Sequence, residues 1–378
     1  MNSWFNRYFE KEAESLYQPG KVLILYGPRR VGKTELIKKI ILGFHGKIYS
    51  GKGDDFDLQS LFNARSLSRL SSFFDSYDLV VIDEAQYIPQ IGAGMKLLTD
   101  TFPEKRIILS GSSSFQLAGQ IGEPLTGRNK VRTLYPMSAL ELKEQFGPME
   151  LVHKREELLI YGSYPEVMNY SSSSDKKEYL LTLRDSYLLK DILQLEDIRY
   201  SQKINDLLKL LAFQIGHEVS LNELSNSLAI SRQTVERYLH LLQQAFIIIK
   251  VSGFSRNLRN EISKSSRYYF WDNGIRNALI NNFNSLDTRN DIGMLWENFL
   301  FIERLKKQEY TRNYSNNYFW RSYTHQEIDH IEEREGRLYG YEFKWGLKKT
   351  NPPRLWFETY PEASFELIDR ENYIDFIT

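Results

Sequence analysis

Cysteine is absent from the 378-residue sequence. Its absence excludes disulfide frameworks, thiolate nucleophiles, zinc fingers and iron–sulfur clusters together. A chain without cysteine fits a reducing compartment, so the sequence predicts a cytoplasmic protein. Residues 1–14 interrupt their aromatic side chains with charge and lack the apolar core and the small-residue cleavage site of a secretory signal. We therefore expect no secretory signal.

Long hydrophobic runs and a net charge are also missing. The longest apolar stretches, such as 79–82 and 246–249, are far shorter than the roughly 18 residues that cross a bilayer, so no membrane partner is expected. The 49 basic and 49 acidic residues cancel, which leaves only local patches to attract nucleic acid. Glycine and proline are too sparse for a disordered chain, and the length predicts two or three domains.

Short apolar runs recur in the first third of the chain. They cover 21–26, 79–82 and 106–109, and each ends at glycine or polar residues. Helical patterns separate them. Buried strands that alternate with helices predict a parallel α/β sheet, with its chemistry at the carboxyl ends of the strands.

A glycine-rich loop follows the first of these runs. Residues 27–34 satisfy the pattern G-x-x-x-x-G-K-[ST] between a predicted strand and a predicted helix. The backbone N–H groups of such a loop curl around phosphate oxygens where the helix dipole favours an anion. Lys33 is expected to reach the β and γ phosphates and Thr34 to hold magnesium, so ATP and Mg²⁺ are the predicted cofactors. The predicted nucleotide-binding residues here are Gly27, Pro28, Arg29, Arg30, Val31, Gly32, Lys33, Thr34 and Glu35.

Two carboxylates end the second run. Asp83 is placed to hold the magnesium shell and Glu84 to orient the attacking water. Alone, the pair would be an ordinary solvated loop, but beside a phosphate loop it predicts nucleotide hydrolysis rather than binding alone. Glu84 and Lys33 are therefore the predicted catalytic residues, and Gln86 is expected to contact the carboxylates.

The middle of the chain is helical. The pattern over 156–195 predicts a helical lid, and 203–251 shows three helices and a β-rich run, the size of a winged helix-turn-helix. Ser220, with Glu223 three residues later, forms a capping box that opens one helix. The helix after it would be the recognition helix, exposing Arg232, Gln233, Glu236 and Arg237.

A basic stretch surrounds this predicted recognition helix. Residues 231–276 hold 8 basic and 3 acidic side chains, with Tyr268, Tyr269 and Trp271 interleaved. Such a stretch could track a phosphate backbone, which makes DNA a candidate partner. The alternative, that the winged helix is a spacer packed between two α/β units, stays open.

The last part of the chain alternates strand-like runs with a helix, which again predicts an α/β module. Asp329 and Glu342 flank a predicted hairpin, and Lys344 shares a strand face with Glu342. Two such carboxylates can share a magnesium ion, while the lysine, which is not a ligand, could polarise water or phosphate. Glu297, on the preceding helix, would complete the cluster. Alternatively, the fold persists without cleavage and the carboxylates form a salt-bridged cluster with the lysine.

Several motifs together resemble a known group of proteins. GPRRVGKT, LVVIDEAQYIP, RIILSGSSS, LTGR and LYPMSALEL are similar to bacterial and archaeal AAA+ ATPases in which a winged helix and a restriction-endonuclease-like (PD-(D/E)xK-like) domain follow the ATPase. The resemblance covers nearly the whole chain. It implies that Ser110 is a polar sensor between the carboxylates and the γ phosphate. It also implies that Arg128 is an arginine finger for a neighbouring subunit, and hence a homo-oligomer.

Both implied roles have plain alternatives. Ser110 could simply cap its strand, and Arg128 could form a surface salt bridge. Arg184 is a candidate for the sensor arginine of the lid.

These expectations combine into one architecture. We predict an α/β fold with a P-loop NTPase (AAA+) core at 1–150, a helical lid at 151–200, a winged helix at 201–255 and a small endonuclease-like domain at 256–378. The expected function is magnesium-dependent ATP hydrolysis coupled to the attached winged-helix and nuclease-like module, in a DNA-related process. The alternative is a slow ATP switch that regulates a protein partner and carries a catalytically inactive nuclease-like domain.

Overall fold

The computed structural model describes residues 5–111, 125–185, 201–255, 266–322, 326–346 and 351–378. These fall into two compact units. The first unit comprises the described residues up to Pro136 together with Gln244–Phe246, and the second comprises Met137–Gln243 and Ile247–Thr378. The described chain thus forms two compact units, whereas the sequence predicts four domains.

The first unit holds five strands and five α-helices among its described residues. Its strands are β1 (Val22–Tyr26), β2 (Ile48–Lys52), β3 (Leu79–Asp83), β4 (Arg106–Ser110) and β5 (Asn129–Thr133). Its helices are α1 (Ala13–Leu16), α2 (Lys33–Leu42), α3 (Phe56–Asn63), α4 (Leu67–Phe74) and α5 (Ile91–Thr101), with short 3₁₀ helices at Tyr8–Glu12 and Ala85–Tyr87.

The sheet of the first unit is parallel throughout, in the order β2-β3-β4-β1-β5. β1 is buried along its whole length and β3 along all but its last residue, because helices cover the sheet and leave these central strands no solvated face. The predicted parallel α/β sheet is confirmed. Since β4 lies between β1 and β3, the loops that follow these three strands meet at one edge of the sheet.

The second unit is longer and mixed. Its helices are α6 (Ala139–Phe146), α7 (Pro148–His153), α8 (Arg155–Tyr161), α9 (Pro165–Asn169), α10 (Ser173–Leu183), α11 (Ser201–Phe213), α12 (Leu221–Leu228), α13 (Arg232–Gln244), α14 (Asn273–Leu279), α15 (Ile292–Thr311), α16 (Arg354–Thr359) and α17 (Tyr373–Ile377), with a 3₁₀ helix at Leu286–Thr288. Its strands are β6 (Glu218–Val219), β7 (Ile248–Gly253), β8 (Ser266–Phe270), β9 (Asn316–Arg321), β10 (Glu327–Arg334), β11 (Arg337–Phe343) and β12 (Ser364–Ile368).

One seven-stranded sheet runs through the second unit, in the order β12-β11-β10-β9-β7-β8-β6. β7 pairs with β8 on one side and, in parallel, with β9 on the other, where Ser252 lies beside Tyr318. The predicted boundary at 255/256 therefore divides a hairpin. The physical reason is that the outer edge of β7 finds hydrogen-bond partners in β9 rather than remaining an open edge.

The described helices of the predicted lid also belong to the second unit. α8 packs against α14, where the Asn277 side chain donates hydrogen bonds to the carbonyls of Leu159 (3.1 Å) and Ile160 (2.8 Å). The backbone N–H of Ser163 donates to the Asp272 carboxylate at 2.7 Å. These contacts pack the described lid helices into the core of the second unit. Residues 186–200 of the predicted lid lie outside the described part of the chain.

Candidate functional site

The phosphate loop connects the end of β1 to the start of α2. Gly27, Arg30 and Gly32 all have positive φ, at 143°, 65° and 93°. A Cβ on Gly27 would lie 2.0 Å from the carbonyl oxygen of Leu134, so only glycine fits there. Gly32 gives α2 no capping side chain. The helix N-terminus therefore keeps its backbone donors and its positive dipole end for an anion.

Lys33 lies inside the curl of this loop. Its side chain is 5% exposed, and Nζ donates to the carbonyl oxygens of Gly27 and Pro28, both at 2.8 Å. The loop backbone thus holds the ammonium group beside the helix N-terminus. A buried cation at this position suits the charge of a polyphosphate.

Three polar side chains from different segments meet at the carboxyl edge of the sheet. Thr34 Oγ1 donates to Asp83 Oδ2 at 2.6 Å, and the hydroxyl of the fully buried Ser110 donates to Asp83 Oδ1. The Glu84 backbone N–H donates to Ser110 Oγ at 3.2 Å. The strand order brings together these residues, which the sequence had separated by up to 76 positions. A hydroxyl and a carboxylate beside bound phosphates are the oxygen ligands that Mg²⁺ prefers, so the residues present fit this ion.

Glu84 has a left-handed backbone, with φ 53° and ψ 41°. This conformation is uncommon for a residue other than glycine and occurs often at functional sites. Gly53 packs against it so closely that a Cβ there would lie 2.0 Å from the Glu84 carbonyl oxygen. The buried Gln86 side chain donates to the Glu84 carboxylate, so it fixes the predicted water-orienting group.

Two contacts at the loop involve residues that sequence reasoning missed. Arg7 is 5% exposed and donates to the carbonyl oxygens of Val31 at 2.6 Å and of Tyr135 at 2.7 Å. Arg29 donates to the Tyr87 hydroxyl at 2.9 Å. These contacts join the phosphate loop to distant segments. Nothing in the local pattern around Arg7 or Tyr87 distinguished them from surface residues.

Glu35 and Arg128 lie away from the Thr34–Asp83 contact. Glu35 pairs with Lys38 at 2.8 Å on the exposed face of α2. Arg128 pairs with Asp100 at 2.8 Å, with both side chains more than two-fifths exposed, and its carbonyl accepts from the N–H of Val22 at the start of β1. Arg128 is therefore at the amino ends of the strands. The phosphate loop is at their carboxyl ends, about 16 Å away along five residues of strand.

The predicted nuclease-like residues are also brought together, in the second unit. Glu297 lies on α15, Asp329 on β10 and Glu342 on β11. Lys344 pairs with Glu342 at 2.6 Å, and Asp329 accepts from the Phe343 backbone N–H at 2.9 Å. Burial, followed by the nearby Asp329 charge, raises the pKa of Glu297 to about 8 and that of Glu342 to about 7.

Arg267 enters this cluster from β8. Its guanidinium, 5% exposed, lies 3.4 Å from Glu297, 3.0 Å from Glu327 and 3.6 Å from Asp329. Tyr269, two residues along the strand, donates its hydroxyl to Glu297 at 2.7 Å. Sequence reasoning had assigned both residues to the basic stretch, because the partner strands of β8 could not be read from the sequence.

Glu297, Asp329 and Glu342 are thus neighbours, but their role as metal ligands stays a prediction. Across the described ranges, no three carboxylate or imidazole side chains converge closely enough to hold a metal ion. Instead, Arg267 and Lys344 supply the positive charge in the cluster. This arrangement favours the salt-bridged alternative that the sequence left open.

The segment predicted as a recognition helix is α13. Arg232, Gln233, Glu236 and Arg237 are all exposed on it, and Arg232 pairs with Glu236 at 3.1 Å. Ahead of it, Ser220 accepts from the Glu223 backbone N–H at the start of α12. β7 and β8 follow α13 as an antiparallel pair.

Arg184, the candidate lid sensor, is used within the second unit. It donates to the Ala278 carbonyl at 2.8 Å and pairs with Asp185 at 2.6 Å. These contacts tie the end of α10 to α14.

A parallel sheet with a phosphate loop after β1 and a carboxylate at the end of β3 defines the class of P-loop NTPases. Comparison with known families narrows the class: residues 19–143 match the model of an AAA domain. Residues 152–286 and 292–355 match two domains of unknown function, DUF8612 and DUF4143. The chain thus contains an AAA-type ATPase domain. The match to DUF8612 extends across the predicted boundary at 255/256, between the winged helix and the endonuclease-like domain. The seven-stranded sheet also extends across this boundary.

Two relatives that are similar in sequence are uncharacterized proteins. A Mycobacterium tuberculosis protein is 27% identical, with 88% of this chain and 71% of that protein covered. A Methanocaldococcus jannaschii protein is 25% identical, with 98% and 90% covered. Among solved structures, a Thermotoga maritima RuvB variant is 17% identical over 64% of this chain and 86% of that chain, at a TM-score of 0.29, which is too low to assign a function.

Within the described part of the chain, no helix combines the length and the apolar character that crossing a bilayer requires.

Proposed function

We propose that this protein is a magnesium-dependent ATPase whose nucleotide state is coupled to the second unit. The observation that carries the proposal is the contact of Thr34 and Ser110 with the two oxygens of Asp83, beside the buried Lys33. A loop for phosphates, an ammonium group and a held carboxylate are the parts that phosphoryl transfer requires.

Each residue then has a chemical task. The loop N–H groups bind the phosphates, and Lys33 leaves its carbonyl partners to neutralise charge between the β and γ phosphates. Thr34 and Asp83 would hold Mg²⁺, which supplies charge neutralisation at the phosphate oxygens. Glu84, held by Gln86, orients the attacking water and accepts its proton.

Arg128 is proposed to act on a neighbouring copy of the chain. Its position at the amino ends of the strands places it far from the phosphate loop of its own subunit, whereas its exposed guanidinium is accessible to another subunit. A planar guanidinium suits the charge that develops on phosphoryl oxygens. This role implies a homo-oligomer.

DNA is the proposed partner of the second unit. α12, α13 and the β7–β8 hairpin follow the order of a winged helix, and α13 exposes the side chains expected to reach DNA. Arg267 and Arg276 of the basic stretch are buried in ion pairs. The positive charge for a phosphate backbone therefore comes from exposed residues such as Arg232, Arg237 and Lys250.

Two substitutions test the ATPase. Lys33→Ala removes the phosphate-neutralising cation and Glu84→Gln removes the proton acceptor, so each should reduce steady-state ATP turnover to background. Lys38→Ala, on the exposed face of the same helix, is the matched control and should keep the wild-type rate. Circular dichroism checks that all three variants fold. Normal turnover by either site variant would disprove the proposal.

A second candidate function is a slow ATP switch that regulates a protein partner and cleaves nothing. The pairing of the carboxylate cluster with Arg267 and Lys344 favours it. ATP turnover measured against protein concentration, with and without single- or double-stranded DNA, separates the candidates. Stimulation by DNA supports the first, and turnover that is indifferent to both DNA forms supports the second.

A further inference from the structure

Arg267 forms ion pairs with three members of the carboxylate cluster, which comprises Glu297, Glu327, Asp329 and Glu342. Its guanidinium lies within 3.6 Å of carboxylates on two different elements, α15 and β10. The guanidinium also stacks over the Phe319 ring, with 4.5 Å between the guanidinium carbon and the ring centroid. These ion pairs hold the charge in place, because a buried guanidinium that left its partners would be an uncompensated charge.

An endonuclease-like arrangement implies a divalent metal ion between these carboxylates, and the residues present do not fit one. A magnesium ion needs oxygen ligands at about 2.0–2.1 Å in octahedral geometry. Glu297, Glu327 and Asp329 instead pair with the guanidinium, and no metal-binding group of three forms within the described chain. A metal ion placed among the same carboxylates would also be repelled by a positive charge a few ångströms away.

We propose that Arg267 takes the place of a divalent cation in this cluster, so that the wild-type protein binds no metal ion there. The guanidinium joins β8 to α15 and β10. Because β8 pairs with β7, the same contacts also join the β7–β8 hairpin to β10. The proposal rests on the geometry of the second unit and does not depend on ATP hydrolysis.

One further observation predicts what removal of Arg267 does. Glu342 Oε2 is buried without a hydrogen-bond partner. Once the guanidinium is gone, Glu297 and Asp329 lose their cation, and only Lys344 beside Glu342 still supplies positive charge to the cluster. Their mutual repulsion is then relieved by binding a divalent ion.

The test measures Mn²⁺ binding to the full-length chain without nucleotide, by isothermal titration calorimetry. Wild type and Glu342→Gln are expected to give the same isotherm, because the cluster contributes no site in either. Binding to wild type that Glu342→Gln abolishes would overturn the proposal. This comparison does not depend on the stability of any Arg267 variant, and failure of the ATPase would not affect it.

A second arm uses Arg267→Met. This variant should bind one Mn²⁺ per chain more than wild type, and lose that site when Glu342→Gln is added. Arg267→Lys, which keeps the charge, and Arg321→Met, which removes the exposed Arg321–Glu218 pair of the same sheet, should gain nothing. If Arg267→Met folds and binds no additional Mn²⁺, the proposal that Arg267 takes the place of a divalent cation is wrong.

Discussion

At the scale of single residues, Ser110 has two hydrogen bonds that order the carboxylate pair. Its hydroxyl donates to Asp83 and accepts from the backbone N–H of Glu84. Thr34 holds the other oxygen of Asp83. Because both oxygens of the carboxylate are held, its orientation is fixed before any ligand binds, which lowers the entropy lost in reaching a reactive geometry.

Removing this hydroxyl should slow hydrolysis without preventing ATP binding. Ser110→Ala frees one oxygen of Asp83 and the N–H of Glu84, and misplacement of this kind lowers turnover by about 10²-fold. Ser110→Thr keeps the hydroxyl and should retain most of the rate. Single-turnover hydrolysis and the binding of a fluorescent ATP analogue separate the two effects. Wild-type turnover by Ser110→Ala would show that the serine only ends its strand.

At the scale of elements, the junction of α8 with α14 shows why the predicted lid helices belong to the second unit. Asp272 accepts from the N–H of Ile275 at the start of α14 and from the N–H of Ser163 after α8. Gly162 allows this approach, because a Cβ there would lie 2.1 Å from an Asp272 oxygen. One buried carboxylate thus fixes two helix ends.

Gly162→Ala should destabilise the second unit strongly. Gly162 (φ 71°, ψ −160°) and Gly147 (φ 86°, ψ 165°) share a backbone region that is essentially restricted to glycine. A Cβ at Gly147 meets nothing within 4 Å, so Gly147→Ala is a matched control for the backbone cost. Gly162→Ala should lower the free energy of unfolding by about 2 kcal/mol more, the usual cost of overpacking. Urea denaturation measures both variants, and equal losses would refute the junction as described.

At the scale of the whole molecule, the two ends of the first-unit sheet carry the phosphate loop and the proposed arginine finger. Lys33 lies at the carboxyl ends of the strands, and Arg128 lies at their amino ends. A single chain therefore does not bring both groups to one nucleotide through this sheet. If Arg128 acts as proposed, a second copy of the chain supplies it to the nucleotide.

Mixing two inactive variants tests that requirement. Arg128→Ala should lower turnover by about 10³-fold, the usual contribution of an arginine finger, and Lys33→Ala should abolish it. In an equimolar mixture, an intact phosphate loop from the first variant meets Arg128 from the second, so the rate should exceed the sum of the separate rates. Asp100→Ala, which removes only the surface partner of Arg128, serves as the control. A mixture no faster than that sum would argue against a role in a neighbouring subunit.

Local pattern explains which parts of the molecule could be predicted. The strand, phosphate loop and helix around Lys33 are continuous in sequence, and Asp83 and Glu84 end a run of buried residues. The parallel sheet follows from several such runs. Arg7 could not be found this way, because its guanidinium contacts Tyr135, which is 128 positions away.

The sequence by itself determined the phosphate loop, the carboxylates after the second run and the α/β class, since each depends on neighbouring residues and on strand or helix periodicity. Tertiary structure alone decided that β7 pairs with β9, so that the predicted winged-helix and endonuclease-like parts share a sheet. It also decided that Arg267 pairs with Glu297 and Asp329. Within the described residues, no three side chains form a metal-binding group. The physical reason is that strand pairing and burial of charge join residues far apart in the chain, where local pattern carries no information.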